Sequence, residues 1–163
     1  YAPIGWNFEQ EIAKLGLPQK RHNIFASFDT VDYPILREFY NKADVFVAPN
    51  MSEAFGLTIA EAMACELPVI TTDFGGQTDF VNNENGWIIP TTKIEVKSDV
   101  MYEGVKWGVP NLDELKKAMR YAYEHPEEVK EKGKKARETI VNNYTWKHSA
   151  KKLIEVFKKY ENT

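Results

Sequence analysis

The stretch DVFVAPNMSEAFGLTIAEAMACELPVITT, residues 44–72, carries the decision about the fold. DVFVAP (44–49) is a β-branched and aromatic run stopped by Pro49, the signature of a short buried strand. LTIAEAMAC (57–65) sets Leu, Ala and Met at helical spacing. LPVITT (67–72) is again a continuous apolar run. Strand, loop, helix, strand, with few residues between them, is the unit of a parallel sheet with a crossover helix.

The same rhythm extends in both directions. Upstream, NIFASF (23–28) reads as a strand and PILREFYNKA (34–43) as a helix with Pro34 in its first turn, where a missing N–H costs nothing. Downstream, TDFVNN (78–83) reads as a short helix or turn and GWIIP (86–90) as the last short strand. The strands are apolar along their length instead of alternating, as expected where helices cover both sheet faces. The fold class is therefore α/β, a Rossmann-like parallel sheet with flanking helices.

Residues 91–110, TTKIEVKSDVMYEGVKWGVP, break the rhythm and read as a long ordered loop. Beyond them the pattern is helical. NLDE (111–114) matches a capping box, and Leu112, Leu115, Met119, Ala122 and Tyr123 form one stripe. Pro126 restarts a second helix to about Asn143. Thr145 caps a third, with Trp146, Ala150, Leu153, Ile154 and Phe157 as its apolar face.

At 163 residues the chain suits one domain, 1–163, with 91–110 as an insertion. No apolar run reaches membrane-spanning length. The lone Cys65 forms no internal disulfide and fits a reducing, cytoplasmic setting; at the end of an Ala-rich helix it reads as core. Residues 1–112 hold 8 Lys and Arg against 15 Asp and Glu, whereas 113–163 hold 13 against 9. The basic half reads as a solvated helical surface, or as a face for anionic lipid peripheral to a membrane. His22, His125 and His148 lack metal-ligand spacing, and no Gly-X-Gly-X-X-Gly turn for a dinucleotide is present.

Glu53 and Glu61 lie eight positions apart around Phe55-Gly56. The loop 50–56 follows a strand, and ligands of open parallel sheets bind just beyond strand carboxyl ends. The first N–H groups of the helix at Leu57 and Thr58 favour an anion, and Gly56 lets backbone approach it closely. Two carboxylates beside a phosphate are compatible if they accept sugar hydroxyls while the helix end takes the phosphate. A nucleotide sugar has that shape. An exposed loop acid followed by a helix-surface acid has the same sequence.

The residues ADVFVAPNMSEAFGLTIAEAMACELPVITTDFGGQTDFV, NGWIIP and YTWKHSAKKLIEVFKKY resemble the retaining glycosyltransferases of family 4, in the C-terminal half of their GT-B fold, which closes with C-terminal helices. The likeness covers about 20–90 and 111–160. It implies that Glu61 binds the nucleotide ribose and that Glu53, the catalytic candidate, lies by the transferred sugar. It further implies that Phe55, Gly56, Leu57 and Thr58 meet the diphosphate and that Gly75 and Gly76 line the same cleft. The implied activity is metal-independent hexosyl transfer with retention, by front-face attack in which the leaving diphosphate helps take the acceptor proton. No cofactor is implied. A non-catalytic sugar-nucleotide-binding module is the alternative reading.

Departures from the family pattern are specific. Glu66 stands where relatives usually have Gly, and the Arg and Lys that clamp the diphosphate find no match. YAPIGW (1–6) begins without Met, so the chain reads as a fragment lacking an N-terminal acceptor domain and inactive alone. Trp87 reads as core, Trp107 as a candidate stacking surface, Asp79 as a helix-start acid, and Ser27–Thr30 as candidate base contacts.

Overall fold

A computed structural model describes residues 7–16, 30–96 and 104–161. Two compact units divide the chain, Tyr1–Val31 and Asp32–Thr163. In the first, α1 (Phe8–Lys14) begins at Asn7, whose side chain accepts from the Gln10 N–H at 3.0 Å. The expected strand at 23–28, His22 and residues 27–29 of the expected base contacts lie outside the described residues.

In the second unit, α2 (Tyr33–Lys42), β1 (Phe46–Ala48), α3 (Leu57–Ala64), β2 (Val69–Thr72) and β3 (Gly86–Ile89) follow the expected order. The strands form a parallel sheet ordered β1-β2-β3, with Val47 opposite Ile70 and Ile70 opposite Trp87. Every residue of the central strand β2 is buried. A strand turns successive side chains to opposite faces, so Val69 enters one core and Ile70 another. Val69 packs with Ile59, Met63, Ala136 and Ile140 from α3 and α5 (Pro126–Asn143). Ile70 packs with Ile89, Ala122 and Val129, backed by Leu115 and Ala118 of α4 (Leu112–Glu124). Apolar cores on both faces explain the unalternating strands.

Several expectations need correction. The segment 91–110 is not simply a loop: β4 (Thr91–Glu95) and β5 (Lys106–Pro110) pair antiparallel, with Lys93 opposite Gly108. Four of the five residues of β4 are exposed, and β5 buries only Gly108, so there is no continuous apolar run to mark either strand. The capping box is half formed. Asn111 Oδ1 accepts from the Asp113 and Glu114 N–H groups, but the Asn111 N–H donates to Pro90 and Glu114 pairs with Lys117. In α4 the expected stripe reaches the sheet only through Leu115 and Ala122; Leu112, Met119 and Tyr123 are exposed. In α6 (Trp146–Glu161) the expected apolar face, Trp146, Ala150, Leu153, Ile154 and Phe157, is exposed, as is the rest of the helix through Tyr160 apart from the half-buried His148, which lines a cleft beside Asp79 and Asn143. Amphipathic spacing fixes that a helix has two faces, and the neighbours decide which turns inward.

Cys65 packs with Tyr40, Ala62 and Leu67, and burial pushes its thiol pKa up, as befits an inert core cysteine. Trp87 is half-buried, with the Lys132 ammonium 5.0 Å from its ring centre. Among the described residues no helix is long and apolar enough to cross a membrane.

Candidate functional site

Two loops leave the carboxyl ends of β1 and β2 and meet. The first, 49–56, carries Glu53; the second, 73–75, leads into a short 3-10 turn, Gly76–Asp79. The Gly76 N–H donates to the Glu53 carbonyl at 2.9 Å. A Cβ on Gly76 would lie 1.9 Å from the Ala54 carbonyl oxygen, so only glycine permits this approach. Gly75, at φ +123°, also sits close: a Cβ there would reach 2.8 Å from the Glu53 carbonyl oxygen. Glu53, Gly75 and Gly76, separated by more than twenty residues in sequence, thus form one backbone junction.

The Glu53 carboxylate is half-buried and held. Asn50 Nδ2 donates to its Oε2 at 3.0 Å. Behind Asn50, Thr72 Oγ1 donates to the Asn50 carbonyl at 2.7 Å, and Gln77 Nε2 donates to Thr72 Oγ1 at 3.2 Å. Gln77 is fully buried beneath the two loops; its Nε2 also reaches the Thr72 and Phe74 carbonyls, while its Oε1 lacks a partner. This chain, Gln77–Thr72–Asn50–Glu53, escapes sequence reasoning, because polar residues at a strand end and in a turn are common. Only their convergence distinguishes them.

Gly56 ends the first loop as the N-cap of α3, at φ +94°. A Cβ there would come within 3.2 Å of Ile59 Cδ1 as well as adopting an unfavourable backbone. Phe55 turns its ring to Phe80, with centroids 5.2 Å apart, and toward Tyr144 at 6.4 Å, so its ring braces the loop. Leu57 and Thr58 are exposed in the first turn of α3, whose unsatisfied N–H groups and positive dipole end favour an anion.

One turn into α3, the half-buried Glu61 carboxylate accepts from the Tyr40 hydroxyl at 3.3 Å. Burial, the negative charge of Glu61 and that hydrogen bond push the Tyr40 hydroxyl up to about 12. Tyr40 therefore stays a donor and fixes one edge of the Glu61 carboxylate. The sequence offered a hint, because Tyr40 lies on the face of α2 that also carries Leu36, both in the α2–α3 core. The residues read as lying outside the site are engaged elsewhere: His125 stacks on Tyr121, and His148 contacts the Thr145 hydroxyl at 2.7 Å. Asp79 accepts from Tyr144 through its backbone carbonyl. Among the described residues no cluster of His, Cys, Asp and Glu could hold a metal ion.

Comparison with known proteins gives a consistent picture. Residues 7–125 match the family described as Glycosyl transferases group 1. The alpha-maltose-1-phosphate synthase of Mycolicibacterium smegmatis is 26% identical over 144 residues, covering 88% of this chain and 34% of that protein. The sucrose-phosphate synthase structure from Thermosynechococcus elongatus superposes with a TM-score of 0.72 at 23% identity, over 94% of this chain and 33% of that one. The C-terminal domain of a group 1 family glycosyl transferase from Francisella tularensis superposes with a TM-score of 0.60 at 22% identity, over 85% of this chain and 60% of that one. The chain thus spans about a third of the length of the synthase relative it matches.

Proposed function

The chain belongs to the group 1 glycosyltransferases, with the fold of their C-terminal GT-B domain, and from that premise we propose that it is the domain that binds the nucleotide-sugar donor. The observation that carries this reading is the junction of Glu53, Gly75 and Gly76 beside the N-terminus of α3. A half-buried carboxylate beside the free N–H groups of a helix end suits sugar hydroxyls next to a diphosphate, and strand ends are where ligands bind in open parallel sheets.

Each group then has a role. The N–H groups of Leu57 and Thr58 take the diphosphate, with Gly56, at φ +94°, turning the chain into the helix end that presents them. Glu61, held by Tyr40 on one oxygen, presents its remaining lone pairs to the ribose hydroxyls. Glu53, held by Asn50, lies beside the transferred sugar and accepts from its hydroxyls. As the bond from sugar to diphosphate breaks, positive charge develops on the sugar ring and negative charge on the diphosphate. Glu53 opposes the first charge and the α3 end the second. The acceptor oxygen attacks from the leaving-group face and its proton passes to the departing diphosphate oxygen, so configuration is retained. No metal enters this scheme, and the transferred sugar is a hexose bound for an acceptor hydroxyl.

Titration with UDP, GDP and ADP, followed through backbone amide shifts, tests the assignment. Shifts concentrated at 53–61 and 75–76 are expected for one of the three. Glu61→Ala should weaken that nucleotide about 10-fold or more, the scale of a hydrogen bond to a charged group. If no nucleotide moves these amides at millimolar concentration, donor binding by this chain is wrong.

A further inference from the structure

The β4–β5 hairpin is fastened to both loops of the candidate site. On the first loop, the Gly108 N–H donates to the Met51 carbonyl at 2.8 Å, two residues before Glu53. On the second, Thr91 Oγ1 donates to Asp73 Oδ1 at 2.5 Å, two residues before Gly75. Between these ties Gly108 lies against Phe74: a Cβ would come 2.7 Å from Phe74 Cβ and 2.8 Å from Thr91 Oγ1. Lys93, opposite Gly108, sets its ammonium 5.9 Å from the Phe74 ring centre.

Residues paired across an antiparallel ladder share a face. Thr91, Lys93 and Gly108 therefore lie on the face toward the site loops, and Thr92 and Val109 on the other. These ties all fall on Met51, Asp73 and Phe74, which flank Glu53 and Gly75, and none falls on α3 or on Tyr40. The hairpin stands on the Glu53 side of the site, away from Glu61.

We infer that the β4–β5 hairpin is the sugar-side wall of the donor site, with Gly108 and Thr91 as the positioning residues that set Glu53 and Gly75 for the transferred sugar. The inference rests on the donor-binding reading above. It makes a specific division of labour: the hairpin governs recognition of the sugar and leaves recognition of the nucleotide to Glu61 and the α3 end.

Binding of a nucleoside diphosphate and of its sugar conjugate, measured side by side, separates these terms. The pairs are UDP with UDP-glucose, GDP with GDP-mannose and ADP with ADP-glucose, on wild type, Gly108→Ala, Thr91→Val and Thr92→Ala. The two inward-face variants should weaken the conjugate about 5-fold, the scale of one misplaced hydrogen bond, and leave the bare diphosphate within about 2-fold of wild type. Thr92→Ala, on the outer face, should change neither. Thermal unfolding of each variant accompanies the titrations, and if Gly108→Ala does not fold, Thr91→Val decides. Equal weakening of diphosphate and conjugate by the inward-face variants, or no change in either, overturns the sugar-side role. Wild type that binds none of the diphosphates overturns the donor reading itself and this inference with it, an outcome distinct from the other two.

Discussion

At the scale of single residues, the pair Tyr40 and Glu61 couples stability to a site. Tyr40 is buried in the α2–α3 core and its hydroxyl stays protonated to about 12, above its ordinary value of 10.0, chiefly through burial. The unfolded chain ionises Tyr40 near 10 while the fold does not. The contribution is therefore complete below pH 10 and is lost as pH rises toward 12. Tyr40→Phe should show a smaller fall in the urea midpoint between pH 9 and 11 than wild type. An equal fall in both would show that other groups govern alkaline unfolding. The sequence singled out Glu53, Glu61, Gly56, Gly75 and Gly76 of the candidate site but not Tyr40, Asn50, Thr72 or Gln77. Chemistry-bearing residues in a recognised spacing stand out in one dimension. The residues that orient them lie on other elements and are defined only by distance.

At the scale of elements, the end of α3 shows how a local conflict is resolved by a neighbour. Glu66 adopts φ +65°, the left-handed conformation that glycine takes without strain. Its strain is met by α5. Gly133 lets that helix approach so closely that a Cβ would lie 2.1 Å from the Glu66 carbonyl oxygen. Arg137 donates to the Ala64 carbonyl and pairs with Glu66 at 3.7 Å. Glu66→Gly should raise stability by about 0.5–1 kcal/mol, because relief of left-handed strain of about 1–2 kcal/mol outweighs an exposed ion pair worth less than 1 and the added freedom of the unfolded chain. Chemical denaturation reads the difference, and a lower midpoint in the variant would mean that the Arg137 contact dominates. Sequence alone anticipated a strained helix end at Glu66, since it stands where glycine fits best. It gave no sign that α5 closes over it.

At the scale of the whole molecule, the scheme assigns the leaving charge to backbone and helix end. A longer protein that carries this domain and transfers sugar should therefore do so at an unchanged rate in EDTA. A rate that falls with chelation and returns with Mg²⁺ would show that a divalent cation carries the diphosphate charge instead. The parallel run of β1, β2 and β3, the helix α3 between the first two and the position of Glu53 and Glu61 relative to the strand ends were determined by the sequence itself. Their causes are local: apolar runs of strand length, helical spacing, and Pro and Gly as breaks. The exposure of the apolar stripe of α6, the pairing of 91–95 with 106–110, and the hairpin's ties to Met51 and Asp73 were decided only in three dimensions. Those features depend on which surfaces meet after the sheet has formed, and a contact between residues fifty positions apart leaves no periodic trace in the chain.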